Sequence, residues 1–202
     1  HQVRSMVGCL AMVGRGQWAA DDIAKALAAR DRRPTALIFV DLNGMKRIND
    51  GLGHAYGDEL LKAVARQLRQ RLPDDVLVGR IGGDEFVAIC DARDVDPDSL
   101  AFQISGAIHS PFVIGGFEAA TTASIGLTIS GGERDADALL RDADTAMYRA
   151  KDAGRNTHAI FSDDMRTEVE RRIRVERELR ETLDRGGEMC AWFQPVHDFQ
   201  TG

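Results

Sequence analysis

The sequence predicts an α+β fold, with helices packed on an antiparallel or mixed sheet. Three observations lead there. Short β-rich apolar runs and stretches of helical apolar period occur in the same chain. The runs "VLVGRI" and "EFVAICD" meet at Gly82-Gly83, a hairpin signal, so helices and strands do not follow strict βαβ alternation. The chain has 202 residues, 44% hydrophobic and 29% charged, which is an ordinary globular composition with room for a core.

Element by element, residues 1–16 show no clean period, and "WAADDIAKALAARD" over 18–31 has the apolar spacing of a helix. "TALIFVDL" is a short buried strand. "GDELLKAVARQLRQRL" repeats apolar residues at three and four and stops before Pro73, so it is a helix. The glycine hairpin follows. "DPDSLAFQISGAIHSP" opens with capping residues and closes at proline, as a helix does. "FVIGGFEAATTASIGLTIS" reads as a second hairpin or strand pair, "DADALLRDADTAMYRAKDAGRN" as a helix stopped by Gly154, and "THAIFS" as the last strand. "DDMRTEVERRIRVERELRETLDR" is highly charged, with Val169, Ile173, Leu179 and Leu183 at a roughly helical period. "CAWFQPVHDFQTG" is again strand-like.

A net charge of −6 argues against a nucleic-acid polymer or an anionic membrane as partner, but not against a nucleotide held locally with a cation. Cys9, Cys90 and Cys190 are odd in number and widely spaced, which fits neither a metal motif nor a disulfide framework, so a reducing cytosol is expected. No apolar run reaches the ~18 residues of a membrane span. "MVGCLAMVG" resembles a short signal core, but no clear cleavage signal follows, and the chain starts at His1. It is therefore expected to be an excised piece of a longer protein, whose anchors would lie elsewhere.

The carboxylates carry the chemistry. Asp41 ends an apolar strand, where packing alone prefers an apolar group, and Asp84 sits at the hairpin tip. If the two strands are neighbours, both acids converge on one edge and repel unless a cation lies between them. Mg²⁺ suits such a place, because it takes oxygen ligands and accepts one or two carboxylates plus substrate phosphates. Read singly, Asp41 is equally a strand-end cap, and the two glycines an ordinary turn. Lys46 follows Gly44 in a loop opening onto a helix, where N–H groups can meet phosphate; a solvated loop is the plainer reading. Asn49 and Asp58 flank "GLGHAYG". A carboxylate can accept from guanine N1–H and its amino group while an amide donates to O6 or N7, although both residues also suit turn and helix caps. Lys151 and Arg155 are spaced i, i+4 near a helix end, on one face, and either meet phosphates or favour the helix dipole.

Together these residues resemble the GGDEF domain of diguanylate cyclases. "GGDEF" stands at Gly82–Phe86, and "ALIFVDLNGMKRINDGLGHAYGDELL", "ASIGLTIS" and "ADTAMYRAKDAGRN" are similar to the family's first strand and following helices, a later strand and the closing helix. The likeness covers roughly 15–162. It implies a nucleotidyl-cyclase-like α+β fold, with a ferredoxin-like core of mixed or antiparallel sheet flanked by helices. It also implies condensation of two GTP into cyclic di-GMP and two pyrophosphates, in a homodimer that apposes two sites. By the same resemblance Asp41, Asp84 and the Leu42 carbonyl hold Mg²⁺ (or Mn²⁺), and Glu85 supports the metal site. Gly82 and Gly83 let phosphates lie against the hairpin, Asn49 and Asp58 read guanine, and Lys46, Lys151 and Arg155 hold phosphates.

The run "ERELRETLDRGGEMCAWFQPVHDFQTG" resembles the linker and opening strand of an EAL phosphodiesterase domain. The layout expected is a GGDEF domain over 1–163, a helical linker over 164–187 and the opening strand of a truncated EAL domain over 188–202. The EAL catalytic motif is not present, so hydrolysis of cyclic di-GMP by this chain is not expected. Three departures stand out: "SMVGCLAMVGRGQW" only echoes the family's opening segment, Met45 replaces the usual Phe, and the Arg71/Asp74 pair lies about two residues before the usual RxxD of a product-inhibition site, where Pro73 and Val76 stand instead. Weak or absent product inhibition through that site follows. The alternative to an active cyclase is a silent GTP-binding domain that regulates an attached EAL domain.

Overall fold

A computed structural model describes Lys25 and residues 34–130 and 136–185 of the chain. The expectations for the opening segment, for the helix over 18–31 apart from Lys25, and for the strand over 188–202 lie outside these residues. By internal contacts the chain divides into two units, His1–Met165 and Arg166–Gly202.

Strand β1, Thr35–Asn43, leads through the left-handed Gly44 into helix α1, Met45–Leu52, and helix α2, His54–Arg71. Hairpin strands β2 (Leu77–Gly82) and β3 (Glu85–Asp91), helix α3 (Pro97–His109) and the short pair β4 (Phe112–Ile114) and β5 (Phe117–Ala119) follow. Then come β6 (Thr122–Ser130), α4 (Ala136–Asp152), β7 (His158–Ile160) and α5 (Asp163–Arg185). The main sheet has five strands in the order β2-β3-β1-β6-β7, antiparallel except for the β6–β7 pair, while β4 and β5 form a two-stranded sheet of their own. A mixed sheet with helices is the α+β fold expected.

The alternation of β1 builds the layers. Ala36, Ile38, Val40 and Leu42 face one core with Leu60, Val64 and Leu68 of α2 and Leu100, Ile104 and Ile108 of α3. Leu37 and Phe39 face the other with Val87, Ile89 and the α4 residues Leu139, Ala143 and Met147. Each fully buried side chain of this kind contributes about 1.5–3 kcal/mol. Helix α4 comes very close to the sheet. A Cβ at Gly126 of β6 would lie 1.9 Å from the Ala143 carbonyl and 2.2 Å from the Met147 nitrogen, so only glycine admits the helix there. Helix α3 starts as expected, with Asp96 capping through Ser99 N–H at 3.0 Å and Pro97 in its first turn.

Three local expectations shift. Helix α2 begins at His54 rather than Gly57, because Gly53, at φ 85°, turns the chain between α1 and α2. Asp58 therefore lies inside the helix and caps nothing. The β2–β3 turn is Gly83-Asp84, with only Gly83 left-handed, while Gly82 stays in β2 after a register shift between Arg80 and Gly82. The region read as a second hairpin or strand pair holds three strands, β4 and β5 joined at Gly115-Gly116, then β6 in the main sheet.

In α5, Arg180–Glu176 at 3.5 Å and Arg177–Glu181 at 3.9 Å are pairs one turn apart on exposed side chains, and Val175, Leu179 and Leu183 are exposed. Such pairs each add only ~0.3–0.5 kcal/mol. Among the described residues no helix is long and apolar enough to cross a membrane.

Candidate active site

The odd-numbered face of β1 looks towards α4, and Asp41 follows Leu37 and Phe39 along it, two residues before the strand ends at Asn43. Asp41 pairs in register with Glu85 at the start of β3, and Leu42 N–H donates to the Asp84 carbonyl at 3.1 Å. The hairpin expectation therefore holds: β1 and β3 are neighbours, and Asp41, Asp84 and Glu85 meet at one sheet edge. The Leu42 carbonyl leaves the strand on the same side as its N–H, towards the hairpin turn. Arg80 fixes that turn, donating from Nε and Nη2 to the Gly83 carbonyl at 2.9 and 2.6 Å.

Helix α4 brings the cation. Lys151 Nζ lies 2.8 Å from Asp41 Oδ2, with the lysine side chain 26% exposed and the aspartate 13%. Arg155 lies beyond the end of the helix, so it does not share the expected helix face with Lys151. The helix ends at Asp152, Arg155 N–H donates back to the Ala150 carbonyl at 3.1 Å, and Arg155 adopts φ 62°, in the left-handed region. The charge on Asp41 registers Arg155 as a favourable neighbour.

Burial leads the electrostatics, and neighbouring charges follow. Burial pushes the Asp41 carboxyl above the ordinary aspartate range; the hydrogen bond and charge of Lys151 oppose this, Asp84 adds to the rise and Arg155 opposes it. Burial also raises Glu85, helped by Asp41, Asp144 and Asp84 and countered by Lys151. Asp144, two turns before Lys151 on α4, was not singled out in the sequence. Its side chain is exposed as a whole, yet surrounding protein crowds the carboxyl enough to raise it, against Lys151 and with Asp41. The Lys151 charge thus acts on Asp41, Glu85 and Asp144, and Asp84 acts on Asp41 and Glu85.

This donor set fits a hard divalent cation. Asp41, Asp84 and the Leu42 carbonyl offer oxygen ligands, and burial, with neighbouring acids adding to it, raises the Asp41 and Glu85 carboxyls, a strain that a cation would relieve. Among the described residues no group of three or more His, Cys, Asp or Glu side chains is arranged to hold a metal, so the remaining ligands would have to come from phosphates and water. Behind the acids, Asn43 braces the end of β1. Its Nδ2 donates to Thr122 Oγ1 at 3.0 Å, its Oδ1 accepts from Ser124 Oγ at 3.1 Å, and its carbonyl accepts from Thr121 Oγ1 at 3.0 Å.

The base-reading candidates sit on the α1–α2 pair. Lys46 is exposed in the first turn of α1, Asp58 is exposed on α2, and Asn49 is partly buried in α1. Asn49 Oδ1 is buried without a hydrogen-bond partner. The open atom is thus an acceptor, whereas the expected contact to guanine O6 or N7 uses the donor end of the amide. Arg71, of the displaced RxxD pair, ends α2 and donates to Ser110 Oγ at 2.9 Å.

The profile of the family described as "Diguanylate cyclase, GGDEF domain" matches residues 18–157. The chain is 36% identical over 170 residues to the bifunctional diguanylate cyclase/cyclic di-GMP phosphodiesterase MucR of Pseudomonas aeruginosa, covering 83% of this chain and 25% of that protein. It is 32% identical over 177 residues to the cyclic di-GMP phosphodiesterase PdeR of Escherichia coli, covering 87% of this chain and 27% of that protein. The chain therefore spans about a quarter of the length of these curated relatives. Among solved structures, an EAL/GGDEF domain protein from M. capsulatus superposes with a TM-score of 0.63 at 41% identity, over 68% of this chain and 92% of that one.

Proposed function

Because the chain belongs to the GGDEF family of diguanylate cyclase domains, we propose that it condenses two GTP molecules into cyclic di-GMP, releasing two pyrophosphates, as a Mg²⁺- or Mn²⁺-dependent homodimer. The observation that carries this is the meeting of Asp41, Asp84 and Glu85 with Lys151 at the open end of β1. A site with that much unbalanced carboxylate beside a lysine suits a cation–triphosphate complex.

Asp41, Asp84 and the Leu42 carbonyl would hold the metal, and Glu85 would support it. A divalent cation in that place supplies charge neutralisation for the phosphates. Lys46, Lys151 and Arg155 bind and orient the phosphates, Gly82 and Gly83 leave room beside the hairpin for them, and Asn49 and Asp58 hold the guanine. Each condensation forms one bond from a ribose 3′-oxygen to an α-phosphorus and breaks the bond from that phosphorus to the departing pyrophosphate. Charge develops on the phosphoryl oxygens, where the cations of this site are directed. Each protomer holds one GTP, so a two-fold dimer is needed to bring both 3′-hydroxyls to both α-phosphates, and an isolated monomer is nearly inactive.

In the whole protein we place this domain in the cytosol, joined through the 164–187 segment, which contains most of α5, to an EAL domain that opens at 188–202. A second reading has support of its own: PdeR, a relative sharing this domain, carries only a phosphodiesterase name, and the opening segment departs from the family pattern. On that reading the domain binds GTP without turnover and regulates its neighbour.

Turnover separates the two. The protein at high concentration is incubated with GTP and Mg²⁺, and cyclic di-GMP is followed by liquid chromatography beside Asp84→Ala. The cyclase reading expects product, with loss of roughly 10³-fold in the variant. GTP binding without product in a verified dimer would establish the regulatory reading instead.

A further inference from the structure

Helix α4 carries an acid that the proposed site does not use. Asp144 and Lys151 stand seven residues apart on it, two turns along the axis and only about 20° from each other around it. Met147, next to them on the inner side, is buried with Leu37 and Phe39 of β1. The Asp144–Lys151 flank thus borders the face of β1 that carries Asp41. Burial raises the Asp144 carboxyl, and of the charges that act on it Lys151 comes first, as attraction, and Asp41 second, as repulsion.

The Lys151 ammonium rests on Asp41 Oδ2 at 2.8 Å. A cation on Asp41 would share that carboxylate with the ammonium, and the two positive charges repel. The backbone of α4 cannot yield, because it lies against Gly126 with no room for even a Cβ between them. The lysine side chain therefore has to move. In the proposed site Asp41 and Asp84 are taken by the cation and Glu85 supports it. Asp144 is the neighbouring acid left for the ammonium, and it lies towards the N-terminus of α4, the direction in which helical side chains lean.

Resting on the proposed GTP site, we propose that Asp144 is a positioning residue for Lys151: it receives the ammonium when a cation takes Asp41 and keeps it on the flank of α4 from which it meets the phosphates. The sign of its effect separates this from a bystander acid. A carboxylate near a triphosphate repels it, so a bystander weakens nucleotide binding and its removal tightens it. An acid that positions Lys151 does the reverse. Without it the ammonium swings to solvent once Asp41 is taken, and nucleotide binding suffers.

The test is a double-mutant cycle of parent, Asp144→Asn, Lys151→Met and Asp144→Asn/Lys151→Met, with Asp144→Glu beside it. It is read by calorimetry with Mg²⁺ and a non-hydrolysable GTP analogue, and by thermal melting. Asp144→Asn is expected to weaken the analogue about fivefold. Its Tm holds or rises slightly, since the substitution removes a charge that burial disfavours. Binding and stability therefore move apart, which a merely structural role would not produce. Asp144→Glu keeps the carboxylate and binds within about twofold of the parent. In the Lys151→Met background Asp144→Asn no longer weakens the analogue, because the group it positions is gone. Unchanged or tighter binding by Asp144→Asn, or an equal loss with and without Lys151, would overturn the proposal while leaving the GTP site intact. A parent that does not bind the analogue would overturn the GTP site and the proposal together. Should Asp144→Asn fail to fold or melt well below the parent, Asp144 serves the helix and the proposal falls.

Discussion

The two faces of β1 solve different problems with the same backbone. On one, Ala36, Ile38, Val40 and Leu42 are apolar to the end of the strand and are closed over by α2 and α3. On the other, Leu37 and Phe39 pack under α4, but the next residue is Asp41, and the helix meets it with Lys151 instead of another apolar group. One face is core along its whole length, while the other changes from packing to chemistry within a single step of two residues. The lesson is that the packing of α4 on the sheet is also what aims the site. Its backbone rests on Gly126, and the cation at its far end reaches the acid because of that close approach.

Substitutions on each face break this comparison in different ways. The largest effect is expected at Gly126→Ala, which drives a methyl into the α4 backbone. It should cost about 3 kcal/mol or more and, by displacing Lys151, also weaken nucleotide binding. Ile38→Ala, on the apolar face, should cost about 2–5 kcal/mol with nucleotide affinity of the folded protein unchanged. Chemical denaturation together with analogue titration reads both quantities, and equal affinity in the two variants would show that the faces are not divided in this way.

Next in size is Lys151→Met. The ammonium now compensates Asp41 at 2.8 Å, so a divalent ion binding without nucleotide has to displace it or share the acid with it. Mn²⁺ binding followed by electron paramagnetic resonance should tighten several-fold in the variant, while GTP affinity falls about tenfold. Unchanged Mn²⁺ affinity would mean that Lys151 and the cation do not compete.

The smallest effect is on stability at Glu85. Burial and neighbouring acids raise its carboxyl, so between the ordinary glutamate range and the raised value the folded state holds a proton that the unfolded chain has released. Stability therefore falls as pH rises through that window. Glu85→Gln should melt slightly higher than the parent at neutral pH, with the gap closing at pH below the ordinary glutamate range. A gap that widens on acidification would reverse the sign.

Much of this was legible in the sequence, and what was not has physical reasons. The apolar run of β1 and the capped start of α3 are local signals and appear where expected, and the glycine hairpin forms with its turn one residue later than read. Asp41 and Asp84 were readable because an acid closing an apolar strand and an acid at a tight turn both go against local preference. The start of α2 was placed late because His54 is not a capping residue and the turn depends on the φ of Gly53. Asn43, Ser124 and Arg80 went unnoticed. The Asn43–Ser124 bond joins residues 81 apart, and the Arg80 contact depends on the turn falling at Gly83-Asp84. Asp144 reads as one more polar residue on an amphipathic helix until α4 is laid against β1. Arg155 reads as part of a helix face, whereas the helix ends at Asp152 and Arg155 takes a left-handed backbone beyond it.

The most direct test of the site at the end of β1 is calorimetric titration of a non-hydrolysable GTP analogue into the parent and Asp41→Asn, each with and without Mg²⁺. The result expected is tight binding by the parent that depends on Mg²⁺, with at least about a tenfold loss in Asp41→Asn and little Mg²⁺ dependence left. Equal, Mg²⁺-dependent affinity in both proteins would contradict the assignment of Asp41 as a metal ligand and move the nucleotide away from the open end of β1.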